Sequence, residues 1–136
     1  MIGVVVVTHG RLATELVTAA EMIVGQLPQF VAVSIGWHDE VGAARDAIAQ
    51  AIDQVHGPSG VLVLTDMFGG TPSNLGLTFL EADRVEVITG VNLPMLIKLA
   101  GLQTSSDLLG VAREMREHAR DAIWVASDLL KANAKT

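Results

Sequence analysis

The chain contains no cysteine. That excludes a disulfide framework, a thiol nucleophile and cysteine-ligated zinc, and it leaves no hint of an oxidising compartment. Long hydrophobic runs are also missing, although half of the 136 residues are hydrophobic. The longest apolar stretches fall far short of the roughly 20 residues that cross a bilayer. The N-terminus, Met1-Ile2-Gly3-Val4, has neither a basic region nor a small-residue cleavage site and does not read as a signal peptide. A soluble, cytoplasmic protein is expected. Positive charge is scarce, with 9 Lys and Arg against 15 Asp and Glu and a net charge of -6. Nucleic acid and anionic membranes attract basic patches, so the balance argues against both and favours a basic protein face as partner. Nucleotide motifs are absent as well. Neither G-x-x-x-x-G-K-[ST] nor G-x-G-x-x-G occurs, and nothing marks an ATP site. No internal repeat, low-complexity segment or linker interrupts the chain. Its length fits one domain over 1–136, with a frayed tail at Ala132–Thr136.

What is present alternates between two periods. Residues 2–7 and 60–64 are short, continuously apolar and rich in β-branched residues, as expected of parallel strands covered on both faces. Residues 30–35 and 85–88 read as two further strands. Residues 11–25 place Leu12, Leu16, Ala19, Ala20 and Ile23 on one helical face; residues 41–55 do the same with Val41, Ala44, Ile48, Ala51, Ile52 and Val55. Thr71 followed by Pro72 is a helix start, predicting a third helix over 72–81, and a fourth covers 93–100. The alternation specifies an α/β fold: a parallel sheet with helices on both sides and right-handed crossovers. Beyond it, Ser105 or Ser106 can cap a helix with Leu108, Ala112, Met115, Ala119, Ala122, Ala126 and Leu129 at helical spacing. The stretch 122–126 reads equally as a strand.

In such folds the loops at the C-terminal ends of the strands carry the chemistry. The first is Thr8-His9-Gly10, the second Gly36-Trp37-His38-Asp39-Glu40, and the third runs from Thr65 to Asn74. If strands 1 and 3 are neighbours, Asp66 can accept a hydrogen bond from one ring nitrogen of His9, which leaves the other unprotonated and nucleophilic. Gly69 and Gly70 allow the backbone to turn its N–H groups toward a ligand, the helix start near Pro72 offers more, and Thr71 and Ser73 can add hydroxyl donors. A histidine nucleophile, an orienting carboxylate and an amide-lined anion pocket suit a phosphoryl group passing through the histidine. With no nucleotide site, the donor would be another molecule, such as a phosphoprotein. For Trp37 and His38 a solvated loop is a plainer reading than a partner contact.

The strand ending in Thr8-His9-Gly10, the loop Leu64–Asn74 and the segment Gly90–Leu96 together resemble the IIA component of the mannose family of the bacterial phosphotransferase system. The resemblance extends over nearly the whole chain. It implies a phosphotransferase that accepts a phosphoryl group from the phosphocarrier protein HPr and passes it to a IIB component, without cofactor or metal. By this likeness His9 is the phosphorylated residue, reacting through Nε2, and Asp66 holds its Nδ1. Gly69, Gly70, Thr71 and Ser73 line the phosphoryl site, and Gly10 and Asn92 support it. The implied fold is a three-layer α/β/α sandwich on a four-stranded parallel sheet of order 2-1-3-4. A fifth, antiparallel strand is exchanged between the subunits of a homodimer, which would make 122–126 a strand. The sequence departs from the familiar transporter subunit in ending soon afterwards without a fused IIB domain, which implies a separate IIB partner or a regulatory role. Membrane IIC and IID components, which choose the sugar, would be met only indirectly. Two other readings use the same residues: a phosphorylation sensor built on His9 without sugar transport, and a metal-dependent hydrolase with His9, His38, Asp39 and Asp66 around one ion.

Overall fold

A computed structural model describes residues 1–134. Four strands, β1 (Gly3–His9), β2 (Phe30–Ile35), β3 (Val61–Thr65) and β4 (Val85–Thr89), form one all-parallel sheet of order β2-β1-β3-β4. The helices are α1 (Leu12–Val24), α2 (Val41–Val55), α3 (Thr71–Leu77), α4 (Leu93–Ala100), α5 (Leu108–Asp121) and α6 (Ala126–Ala134). Side chains alternate across a strand, so a strand covered on both faces is apolar throughout. Val4 and Val6 of β1, with Leu62 and Leu64 of β3, pack under α1, α4 and α5. Val5, Val7, Val61 and Val63 face the other way, against α2 and α3. The result is the expected three-layer sandwich. No helix among the described residues is long and apolar enough to cross a membrane.

The helices differ from expectation in instructive ways. On α1 the buried residues are Ala13, Val17 and Ala20, whereas Leu12 and Ile23 are exposed. Two stripes of helical spacing compete in this segment, and Thr8 decides between them. Its buried hydroxyl accepts a hydrogen bond of 2.6 Å from the Ala13 N–H, turning that residue toward β1. Val41, as the first residue of α2, stands exposed, and the remaining expected positions are buried. Helix α3 stops at Leu77, four residues early. From Thr78 to Leu80 the N–H groups bond three residues back, and the Thr78 hydroxyl caps the Leu75 carbonyl at 2.6 Å. Helix α5 is capped by Asp107, not by Ser105 or Ser106; the Asp107 carboxylate accepts from Gly110 N–H at 3.0 Å.

The strand expected at 122–126 is not formed in this chain. Ala122 closes α5 by bonding to the His118 carbonyl, residues 123–125 belong to no regular element, and α6 begins at Ala126. A strand needs a neighbouring edge for its backbone bonds, and among the described residues this segment pairs with none. The helical spacing that continues to Leu129 is not followed by burial: the stretch from Ile123 to Lys131 is exposed. Of the tail expected to fray, Ala132–Ala134 continue α6, and residues 135–136 lie outside the described residues.

The N-terminal segment is tied to a distant one. Ile2 N–H donates to the Gln103 carbonyl at 2.7 Å, and the buried Gln103 side chain returns a bond to the Ile2 carbonyl at 3.0 Å. Just beyond, Gly3 presses on the end of α2, where a β-carbon would collide with the Val55 carbonyl and stand 2.6 Å from its Cγ2. Gly3→Ala is therefore expected to destabilise the fold by about 1–3 kcal/mol, the usual cost of overpacking. Urea unfolding of the two proteins measures it, with an unchanged m-value showing that the native fold is kept.

Candidate active site

Because β1 lies between β2 and β3, its C-terminal end meets both neighbouring loops. Val7 pairs with Thr65 and His9 with Ile35, which puts the residue after β3, Asp66, beside the last residue of β1. Asp66 Oδ2 accepts two bonds from His9, one of 3.0 Å from the backbone N–H and one of 2.8 Å from Nδ1. The imidazole is about half exposed, at 51 %, and the carboxylate is mostly covered, at 14 %.

Burial by itself would raise the Asp66 pKa. The bonds from the His9 ring and backbone N–H, with the attraction of the ring's charge, outweigh it and hold the carboxyl below its ordinary value. At neutral pH Asp66 is therefore a carboxylate, which can only accept. Nδ1 must therefore carry a proton, so that whenever the ring holds a single proton the free lone pair lies on Nε2.

Nε2 faces the glycine loop. A β-carbon on Gly70 would stand 3.1 Å from both Nε2 and Cε1 of His9, so the loop backbone passes directly alongside that edge of the ring. Gly69 and Gly70 both have positive φ, 88° and 82°, a conformation that side chains disfavour. Gly10, at φ 56°, turns the chain from β1 toward α1 and donates to the Ile35 carbonyl at 2.8 Å. His9, Gly70 and Thr71 open onto a cavity of about 480 Å³ whose opposite wall includes Ile35, Trp37 and Val41.

The other expected site residues fall elsewhere. Ser73 is fully buried, and its hydroxyl lacks a hydrogen-bond partner among the described residues, as do Thr65 Oγ1 and Asp66 Oδ1. Unsatisfied buried oxygens along one loop mark a place where stability is given up, as sites that handle polar groups commonly do. Asn92 caps α4, accepting from Met95 N–H at 3.1 Å, and its amide donates to the Ala119 carbonyl at 3.1 Å. It also lines a different cavity, between β4 and α5. Asp39 closes its own loop by accepting from Gly36 N–H at 2.6 Å. Among the described residues no three His, Asp or Glu side chains gather closely enough to hold a metal, so His9, His38, Asp39 and Asp66 are not assembled into an ion site. Thr8 was not singled out for this role; its hydroxyl bridges the His9 carbonyl and the start of α1. A threonine just before the strand-end histidine, five residues ahead of a buried alanine, is a signal that could have revealed it.

A parallel sheet of this order is shared by the proteins that this chain is similar to. Residues 3–115 match the EIIA-man family model, described as the PTS system fructose IIA component, and the chain belongs to that family. It is a phosphotransferase-system EIIA component of the mannose family. It is 28% identical over 132 residues to the fructose-specific EIIA component of Bacillus subtilis (strain 168), covering 96% of this chain and 90% of that one. It is 33% identical over 103 residues to the mannose-specific EIIAB component of Escherichia coli (strain K12), which covers 71% of this chain but only 30% of that protein. Among solved structures, the PTS IIA protein associated with the fucose utilization operon from Streptococcus pneumoniae superposes with a TM-score of 0.83 at 26% identity, covering 94% and 95% of the two chains.

The depressed Asp66 pKa gives a pH dependence with a definite sign. A group whose folded pKa is lowered stabilises the fold above its unfolded value, and the contribution is lost as pH falls through the folded one. Asp66→Asn is expected to cost on the order of 1–2 kcal/mol at pH 7, the scale of a charge-assisted bond. The difference from wild type should hold down to about the ordinary value of 3.8 and shrink only below it. Denaturant unfolding at a series of pH values checks this.

Proposed function

We propose that His9 is the phosphoryl carrier of this EIIA component, charged at Nε2 by phospho-HPr and discharged to a IIB component of the sugar phosphotransferase system. The observation that carries the reading is the 2.8 Å bond between Nδ1 and Asp66, which leaves the free lone pair of Nε2 beside the Gly70 backbone on an open cavity.

In the charging step the lone pair of Nε2 forms a bond to phosphorus. The N–P bond of the donor phosphohistidine breaks, and its electron pair returns to the donor ring. No net proton moves, because His9 keeps its Nδ1 hydrogen and the donor ring keeps its own. The phosphorylated ring of His9 therefore carries formal positive charge, which the Asp66 carboxylate stabilises at hydrogen-bond distance. Transfer between two histidines is nearly balanced in energy, so positioning and charge stabilisation suffice without cofactor or metal. Gly70 and Thr71 lie against the phosphoryl position. Gly69 allows the turn, while Ser73, buried behind the loop, contributes to its shape.

Two further elements of the reading concern assembly and place. The outer edge of β4 has no strand beside it among the described residues, and Ile123, Trp124 and Val125 are exposed. These features favour a homodimer in which segment 122–126 of one subunit adds to the sheet of the other. A phosphoryl donor of the HPr type would meet the protein in the cytoplasm.

The test is to incubate the protein with phospho-HPr and follow acid-labile phosphoryl label. Wild type should be charged, with or without chelator, and His9→Ala should take no label; label on the alanine variant would overturn the assignment. Gly70→Ala places a methyl group against Nε2 at a positive φ, and its charging rate should fall by on the order of tenfold or more, as displacements near 1 Å at a reacting centre do. Onward transfer to a IIB protein and then to sugar tests the carrier role. A protein charged by HPr that never discharges to IIB would instead be a sensor.

A further inference from the structure

The described residues bury four polar side chains: Thr8, Thr65, Ser73 and Gln103. Two of them are used. The Thr8 hydroxyl bonds to the His9 carbonyl and the Ala13 N–H, and the Gln103 amide bonds to the Ile2 carbonyl. Thr65 Oγ1 and Ser73 Oγ find no partner among the described residues, and neither does the buried Oδ1 of Asp66. All three are oxygens on one unit, made of β3, its loop and α3. Thr65 closes β3, and Asp66 follows it directly. Thr65 lies on the face of β3 that α3 covers, since a β-carbon on Gly76 would stand 3.4 Å from Thr65 Cγ2 and 3.5 Å from Val63 Cγ1. Ser73, three residues before Gly76, shares that inner side of α3 and is fully buried there. The two hydroxyls thus belong to the same thin layer between α3 and the end of β3, next to Asp66.

The backbone does not account for these oxygens. A buried hydroxyl on a helix ordinarily donates to a carbonyl three or four residues back, as the Thr78 hydroxyl does to Leu75. Ser73 makes no such bond, and the three oxygens do not bond to one another. A carboxylate oxygen only accepts, whereas a hydroxyl both donates and accepts. One water molecule fits this set. It donates to Oδ1 and to one hydroxyl oxygen and accepts from the other hydroxyl, making about three bonds, the usual number for a water buried in a protein. We propose that Thr65 and Ser73 hold an internal water against Oδ1 of Asp66, and that both are positioning residues for the His9–Asp66 pair.

The effect on the pair is geometric and electrostatic. Both bonds from His9 fall on Oδ2, so a carboxylate held there alone is free to swing its plane about that oxygen. A donor at Oδ1 fixes the plane. It also favours the ionised form, acting with the bonds from His9 that keep this carboxyl below its ordinary value in spite of burial. Its consequence for catalysis rests on the reading of His9 as the phosphoryl carrier. The carboxylate that balances the charge of the phosphorylated ring has to stay aligned with Nδ1 through charging and discharging, and a buried network behind it supplies that rigidity.

The experiment compares the full chain with Thr65→Val, which removes a hydroxyl at nearly constant shape, with Ser73→Ala, and with Thr65→Ser, which keeps the hydroxyl. Urea unfolding and the carbon-13 signal of the Asp66 carboxyl are followed across pH. An idle buried hydroxyl is a burden, so without the water Thr65→Val would be as stable as wild type or more so at every pH. With it, Thr65→Val and Ser73→Ala should lower the urea midpoint at neutral pH. Removing a donor to the charged form raises the pKa, so the Asp66 titration should move up toward 3.8, and the stability loss should fade as pH falls through it. Thr65→Ser should stay close to wild type in both. A high-resolution crystal structure should show a water bonded to all three oxygens in wild type and none in Thr65→Val. Charging by phospho-HPr should lose on the order of tenfold in kcat in the valine variant, with KM within about twofold, as misalignment at a reacting centre does. A valine variant no less stable than wild type, an Asp66 titration that neither variant moves, a serine variant no better than valine, or a wild-type crystal without that water each overturns the proposal. Ser73→Ala removes one oxygen and adds nothing, which keeps the test decisive should valine fail to pack at position 65. If the titration moves as expected while His9→Ala still takes label, the water site stands and its part in phosphoryl transfer falls with the reading of His9.

Discussion

Everything in this molecule is arranged around a central strand that is inaccessible on both faces. Ile2 and Val4 through Val7 have no exposed surface, a state that requires helices above and below as well as strands on either side. At roughly 25 cal/mol per Å² of apolar area, burying a valine contributes about 1.5–3 kcal/mol, so this strand and its partner β3 supply a large share of the drive to fold. The same burial has a geometric corollary. Parallel strands with crossovers on both faces send the β1, β2 and β3 exits to one edge, so a residue at the end of β1 is flanked by two loops that are far away in sequence. The active edge is a by-product of the packing.

The carboxylate acts on this frame with more than charge. Asp66 takes both the backbone N–H and the ring Nδ1 of His9 on a single oxygen, fixing the imidazole's position along the strand and its rotation at once. A bond to the ring alone would have left the histidine free to shift with its backbone. Since the carboxylate can only accept, the arrangement also decides which nitrogen keeps a lone pair free, and the glycine loop is placed against that one.

How much of this could be read from the residues depends on the range of the determining force. The strands, α2 and α4 were legible because continuous apolar runs and helical spacing report burial directly. His9, Asp66 and the paired glycines were legible because strand ends, carboxylates and Gly-Gly turns carry local signals whose meeting follows from strand order. The face of α1 was not, because two stripes of equal spacing compete and a single hydroxyl on Thr8 selects one of them. The placement of Ser73 was not, because a hydroxyl in a helix's first turn can point outward or into the layer beneath. Nor was Asn92, whose amide reaches a carbonyl on a different helix, 27 residues away. The segment 122–126 shows the limit most clearly: strand propensity that pairs with no edge leaves residues 123–125 irregular and exposed between α5 and α6.

The tie between Ile2 and Gln103 bears on how the chain is made. The first strand to leave a ribosome is the one that must end in the middle of the sheet, and the polar groups at its start are satisfied by a residue 101 positions later. β1 therefore remains an incomplete, strongly apolar segment while β2, β3 and β4 are synthesised. Such sequence-distant pairing is closed late, at the cost of a long loop. During that interval Val4 to Val7 form a sticky stretch with unsatisfied edges, the kind of segment that chaperones shield from aggregation. The strand that gives the finished molecule its rigidity is also its greatest exposure while the protein is being born.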